Sequence, residues 1–178
     1  LGADATFVAR SMDRDPKHLQ NMLTRSYRHK GSSFLEIYQN CNIFNDGAFE
    51  IFTEKSSKQE ETLFLEQGKP LVFGAAQGKG IKLDGLKPVV VELGNGVSTD
   101  DLWIHDEKDF YKAQILIRLF DDPTKETGYF PRPFGVFFET DRPCYEDIMT
   151  MQIDETIATK GRGNLDKLLR GKEVWEIL

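Results

Sequence analysis

Thr6-Phe7-Val8-Ala9, then Asp15-Pro16 with Leu19, Met22, Leu23 and Tyr27 at helical spacing, then Ser33-Phe34-Leu35-Glu36-Ile37-Tyr38: this succession decides the fold class. Asp15 is a capping acid, and Pro16 follows at the first helical position, where its missing N–H costs nothing. Lys30-Gly31 supplies a cationic last turn and a glycine stop. Strand, helix and strand within about 35 residues is a βαβ unit, which lays its two strands parallel with a right-handed crossover. Residues 1–45 therefore belong to an α/β sheet. Phe34 to Gln39 is apolar enough to be a buried strand. Two parallel strands do not make a stable sheet, and no later stretch repeats the pattern, so the rest of the sheet is expected from elsewhere.

After Asn45 the texture changes to short apolar runs separated by glycine and charge. Thr62-Leu63-Phe64-Leu65 and Pro70-Leu71-Val72-Phe73 flank Glu66-Gln67-Gly68-Lys69 and predict a hairpin. Ile81-Lys82-Leu83 and Pro88-Val89-Val90-Val91 around Asp84-Gly85 predict a second. A helix is expected from about Asp106 to Phe120, with Phe110, Ala113, Ile117 and Phe120 on one face and a stop at Asp121-Asp122-Pro123. Thr127 to Tyr145, with Pro131, Pro133 and Pro143, predicts extended chain packed on a surface. Asn164 to Gly171 predicts a short capped helix, and Trp175 and Leu178 beyond it could anchor the end or meet another subunit. No internal repeat or low-complexity linker is visible.

The chain has 178 residues, 39% hydrophobic and 29% charged, with 23 Lys and Arg against 29 Asp and Glu. A length near 150 residues buries roughly 70% of its unfolded surface, which excludes whole-chain disorder. A net charge of −6 without a dense basic stripe argues against nucleic acid, whose affinity comes mostly from phosphate neutralisation. No apolar run approaches the ~20 residues that span a bilayer, and no signal-peptide pattern opens the chain, so a soluble, cytoplasmic protein is expected. The chain starts without Met and reaches an apolar strand within five residues, which suggests sequence missing upstream.

Several features imitate chemistry. Gly74-Ala75-Ala76-Gln77-Gly78-Lys79-Gly80 has one residue too few between its glycines for a P-loop and no Ser or Thr after the Lys, so a turn is expected. Asp100, Asp101, His105, Asp106 and Glu107 could bind a divalent ion, but capping of the adjacent helix accounts for most of them. His18 and His29 stand in the first and last turns of the first helix without a Ser or Cys at triad spacing. The two cysteines are Cys41 and Cys144. Cys41 lies just past the carboxyl end of the second strand, where ligands gather in open α/β sheets. Cys144 lies in a Pro-flanked loop and is read as a structural thiol.

Leu1-Gly2-Ala3, Thr6-Phe7-Val8-Ala9-Arg10, His18-Leu19, His29-Lys30-Gly31 and above all Gln39-Asn40-Cys41-Asn42-Ile43-Phe44-Asn45 resemble the thiamine-diphosphate (beta) subunit of 2-oxoacid:ferredoxin oxidoreductases. Phe130-Pro131-Arg132-Pro133-Phe134-Gly135-Val136 resembles that family's C-terminal part, and the Gln-Asn-Cys form is most similar to the 2-oxoglutarate type. The resemblance implies the C-terminal half of such a subunit. Residues 1–45 would complete the thiamine-diphosphate-binding parallel-sheet α/β domain, and residues 46–178 would form a β-rich extension with short helices.

The resemblance also implies a chemistry: CoA-acylating oxidative decarboxylation of a 2-oxoacid on thiamine diphosphate, with electrons passed through a 4Fe-4S cluster to ferredoxin. Cys41 matches the fourth cluster ligand. The other three cysteines and the Gly-Asp motif for Mg²⁺ and diphosphate would lie upstream of Leu1, so these residues alone are expected to be inactive, and none of them inherits a catalytic role. The implied partners are an alpha or alpha-gamma subunit, ferredoxin, coenzyme A and the 2-oxoacid. Phe130, Phe134 and Trp175 could supply an apolar contact with such a partner. A pyruvate-type or broad-specificity relative and a non-enzymatic α/β binding module are the rival readings.

Overall fold

A computed structural model describes residues 1–119, 130–172 and 175. In chain order the elements are β1 (Phe7–Met12), α1 (Pro16–Arg28), β2 (Ser33–Tyr38), the short α2 (Glu50–Thr53) and α3 (Lys58–Glu61), β3 (Thr62–Phe64), β4 (Val72–Phe73), β5 (Lys79–Asp84), β6 (Lys87–Glu92), α4 (Phe110–Leu116), β7 (Arg132–Glu139), α5 (Tyr145–Lys160) and α6 (Leu165–Arg170). Leu1–Arg142 is one compact unit and Pro143–Leu178 another.

The opening βαβ unit forms with the expected elements, but β2, expected to be a buried strand, buries only Tyr38 because β1 alone pairs with it among the described residues. The Asp15 carboxylate accepts from the His18 backbone N–H at 3.2 Å, which starts α1, and β1 and β2 pair in parallel from Phe7↔Ser33 to Met12↔Tyr38. Met22 of α1 packs on Phe7 and Ala9, with Leu35 of β2 beside them. The fold is mixed α/β, with parallel pairs in its larger sheet.

The sequence pointed outside this chain for the rest of the sheet, yet two later strands of the chain join it. Its order is β2-β1-β7-β3, with β7 antiparallel to β1 and β3 parallel to β7. β7 is the segment expected to lie extended on a surface. Instead Pro133 to Phe138 are buried without a break, the pattern of an interior strand. The prolines disguised it. Pro133 is opposite Leu63 of β3, whereas pairing with β1 begins only at Gly135, so the missing N–H falls where β7 has a neighbour on one side. Gly135 has φ +128°, and a Cβ there would come within 2.7 Å of the Leu65 carbonyl oxygen. Only glycine lets β7 and the end of β3 approach so closely. Thr127-Gly128-Tyr129 lies outside the described residues.

The first expected hairpin does not form. Residues 62–64 pair with β7, and residues 68–71 run beside residues 103–105: Gly68 N–H donates to His105 O at 2.9 Å and Leu71 N–H to Trp103 O at 2.9 Å. β4 pairs with β5 instead. The second hairpin stands as expected, with β5 and β6 antiparallel from Lys79↔Glu92 to Asp84↔Lys87. This three-stranded sheet has the order β4-β5-β6. The two sheets share one core, in which Val8, Leu63, Phe137 and Phe138 meet Leu71, Phe73, Ile81 and Trp103. Each such side chain, fully buried, contributes about 1.5–3 kcal/mol.

The helix expected from Asp106 begins later, at Phe110. Asp109 caps it, accepting from Lys112 N–H at 2.9 Å, while Asp106 is spent on a turn, accepting from Lys108 N–H at 3.0 Å. Ala113 and Leu116 form its buried face. Phe120 and the expected stop at Asp121-Asp122-Pro123 lie outside the described residues. In the second unit α6 forms as predicted, capped by Asn164 and followed by Gly171, and the longer α5 was not anticipated. Neither helix buries a residue. Trp175 is exposed, Leu178 lies outside the described residues, and Phe134, expected on a surface, is completely buried. Among the described residues no helix is long and apolar enough to cross a membrane.

Candidate functional site

The chain leaves β2 at Tyr38, and the nine residues that follow are organised by one side chain, Asn40. Its Nδ2 donates to Asn42 Oδ1 at 2.8 Å and to Asp46 Oδ1 at 2.9 Å, its Oδ1 accepts from Gly47 N–H at 2.9 Å, and its own N–H reaches Asp13 Oδ2 at 3.3 Å. Inside this loop Asn45 N–H closes onto Cys41 O at 2.9 Å. Donors from Phe44, Ile43 and Asn45 hold the Cys41 thiol below its ordinary pKa, because they stabilise the thiolate. Ile43 and Phe44 are 82% and 89% exposed beside it.

The loop lies at the carboxyl end of a parallel strand, as the sequence predicts for Cys41. A thiolate is the ligating form of cysteine, and N–H donors to a ligating sulfur are one of the means by which proteins tune iron-sulfur clusters. Cys41 thus suits one corner of a cluster. Among the described residues no group of three or more His, Cys, Asp or Glu could hold a metal ion, so one corner is what these residues offer.

The other residues singled out in the sequence fall into structural roles. His18 Nδ1 lies 2.8 Å from Ser11 Oγ, a Ser–His pair the sequence did not reveal, but Ser11 is completely buried and reaches no substrate. His29 Nε2 bonds Thr6 Oγ1 at 2.7 Å, and its ring packs on Phe7. The acidic cluster is dispersed, but not by capping the adjacent helix as expected, since Asp109 caps that helix. Asp101 accepts from Ser98, and Glu107 takes both guanidinium arms of Arg25, at 3.0 and 2.6 Å. Arg25 also pairs with Glu139, and these two carboxylates hold its charge more firmly than usual. His105 is buried at 1% exposure; its Nε2 donates to Val136 O at 2.8 Å, and among the described residues its Nδ1 has no partner. Burial pushes its pKa down. The glycine-rich stretch 74–80 is a turn leading into β5, with Lys79 paired to Glu60 at 2.9 Å. Cys144 stands immediately before α5, its N–H donating to Asp147 at 3.3 Å.

Arg25 with its two carboxylates and the Asn40 clamp were missed in the sequence. Only the second left a signal there, in the dense Asn and Asp of residues 40–46 around one cysteine.

No family model matches this chain. A curated protein of the 2-oxoacid oxidoreductase class does. Over 181 aligned residues the chain is 33% identical to the 2-oxoglutarate oxidoreductase subunit KorB of Mycobacterium tuberculosis. The alignment takes in 99% of this chain and 47% of KorB, so the chain spans about half the length of that relative.

Proposed function

We propose that these residues are the C-terminal half of the beta subunit of a 2-oxoacid:ferredoxin oxidoreductase of the 2-oxoglutarate type, with Cys41 as one of four thiolate ligands to a 4Fe-4S cluster. The observation that carries this reading is the Cys41 loop. A half-exposed cysteine follows a parallel strand, the backbone N–H groups of Phe44, Ile43 and Asn45 lower its pKa, and it belongs to a chain that aligns over 99% of its length with a 2-oxoglutarate oxidoreductase subunit. Residues 1–45 would complete a thiamine-diphosphate-binding α/β domain and residues 46–178 its extension. The ligands of thiamine diphosphate and Mg²⁺, and three further cysteines, would come from outside residues 1–178. When bound, thiamine diphosphate makes loss of CO₂ from a 2-oxoacid feasible, and the cluster carries electrons away one at a time.

The residues present here would supply one sulfur whose neighbouring backbone N–H groups favour the thiolate, with the Asn40 clamp as the positioning element. An alpha or alpha-gamma subunit, ferredoxin and coenzyme A complete the proposed reaction. The test is Cys41→Ser in the full-length subunit assembled with its partner. The expected result is loss of most of the cluster's visible absorbance and of ferredoxin reduction by 2-oxoglutarate, with thiamine diphosphate still bound. An unchanged spectrum and unchanged ferredoxin reduction would overturn the assignment, and faster turnover of pyruvate than of 2-oxoglutarate would overturn the substrate.

A further inference from the structure

α5 runs for 16 residues, from Tyr145 to Lys160, and buries none of them. A helix of this length gains little from its own hydrogen bonds and depends on a packed apolar face. The apolar side chains of α5 are ordered for such packing. Met149, Ile153 and Ile157 follow one another at intervals of four, and all three are exposed. Glu146 stands three residues before Met149, and Lys160 three residues after Ile157. With about 100° of turn per residue, these five positions fall within about 80° of the helix circumference. The result is a narrow stripe, apolar in the middle, acidic at its start and basic at its end. Among the described residues no ion pair engages either terminal charge. The intervals along the stripe, three, four, four and three, read the same from both ends, with Ile153 at the centre.

We infer that α5 pairs antiparallel with α5 of a second copy of this chain, about a two-fold axis through Ile153. A two-fold contact requires a surface complementary to itself. The stripe meets that requirement. Met149 of one copy faces Ile157 of the other, Ile153 faces its own counterpart, and Glu146 faces Lys160 at both ends of the contact. A parallel pair would set Glu146 against Glu146 and Lys160 against Lys160, so charge selects the antiparallel arrangement, as the two helix dipoles do. The inference depends neither on Cys41 binding iron nor on the identity of the substrate.

The test is disulfide trapping in the full-length protein. Ile153→Cys sets two thiols across the axis within reach of a disulfide, and mild oxidation should join two copies through residue 153, as read by peptide mass spectrometry without reduction. Met151→Cys, about 160° round the helix, should join copies at least about tenfold more slowly. Lys160→Glu added to Ile153→Cys brings like charges together at both ends and should slow the joining roughly tenfold, and Glu146→Lys added to that pair of changes should restore it. All four positions are exposed, so the fold tolerates each change. Absence of a link between two residues 153, equal joining through Met151→Cys, failure of the double charge reversal to restore the rate, or a link from residue 153 to a different polypeptide would each overturn the inference.

Discussion

β2 and β6 are both six-residue outer strands, each paired with one strand among the described residues, yet they meet water differently. β6 opens with Lys87-Pro88 and closes with Glu92, so another strand approaching it would find a missing N–H and charges at both ends. β2 shows Phe34 and Ile37 to solvent, and its only charge is turned back onto Arg10. The lesson is that two outer strands of one chain can guard their edges differently, β6 with proline and terminal charges and β2 with neither.

The contrast extends to the strands behind each edge, and the largest effect is expected there. Gly135→Ala in β7 forces a Cβ to 2.7 Å from backbone at φ +128°, where nothing can yield, and should cost about 3 kcal/mol or more. Gly80→Ala in β5 meets only the side-chain end of Leu102, at 2.4 Å, and should cost about 1 kcal/mol because that leucine can change rotamer. Urea denaturation of the two variants checks the order; equal losses would show that the first sheet is as yielding as the second.

At the edges themselves, Ile37→Lys should lower self-association of the 178-residue chain and leave its stability within about 0.5 kcal/mol, as expected of a surface position. Val90→Lys on β6 should change neither quantity by more than that. Light scattering with melting curves reads both, and an equal response at the two sites would remove the distinction drawn between the edges.

The smallest effect is a pH dependence beneath β7. His105 donates from Nε2 to Val136 O, and burial holds its pKa below the ordinary value of 6.5. The unfolded chain gains that proton as pH falls through about 6.5, whereas the folded chain gains it only at lower pH. Stability from the neutral ring is therefore complete above that value and is lost as pH falls toward the folded pKa. His18 acts in the same direction, also through burial. Melting temperatures between about pH 7.5 and about pH 5.5 should fall, and His105→Gln should flatten part of that slope.

The βαβ opening was readable because its signals are local: the Asp15 cap, Pro16, helical spacing and Gly31 act within a few residues of one another. The β5–β6 hairpin was readable for the same reason. What was hidden depended on distant partners. Nothing near Thr62 says that it pairs with Arg132 rather than with the run beginning at Pro70, and nothing near Pro133 says that β1 begins to pair only two residues later. Cys41 was legible as a position, past the end of a strand. The lowering of its pKa was not, because it depends on how the backbone of residues 43–45 folds around it.

The clamp formed by Asn40 is internal to its loop. One amide makes three hydrogen bonds there, to Asn42, Asp46 and Gly47, so the backbone on both sides of the cysteine is braced by this polypeptide alone. A cysteine braced in this way would lose less conformational entropy on meeting a metal group or a neighbouring chain than one on an unbraced loop.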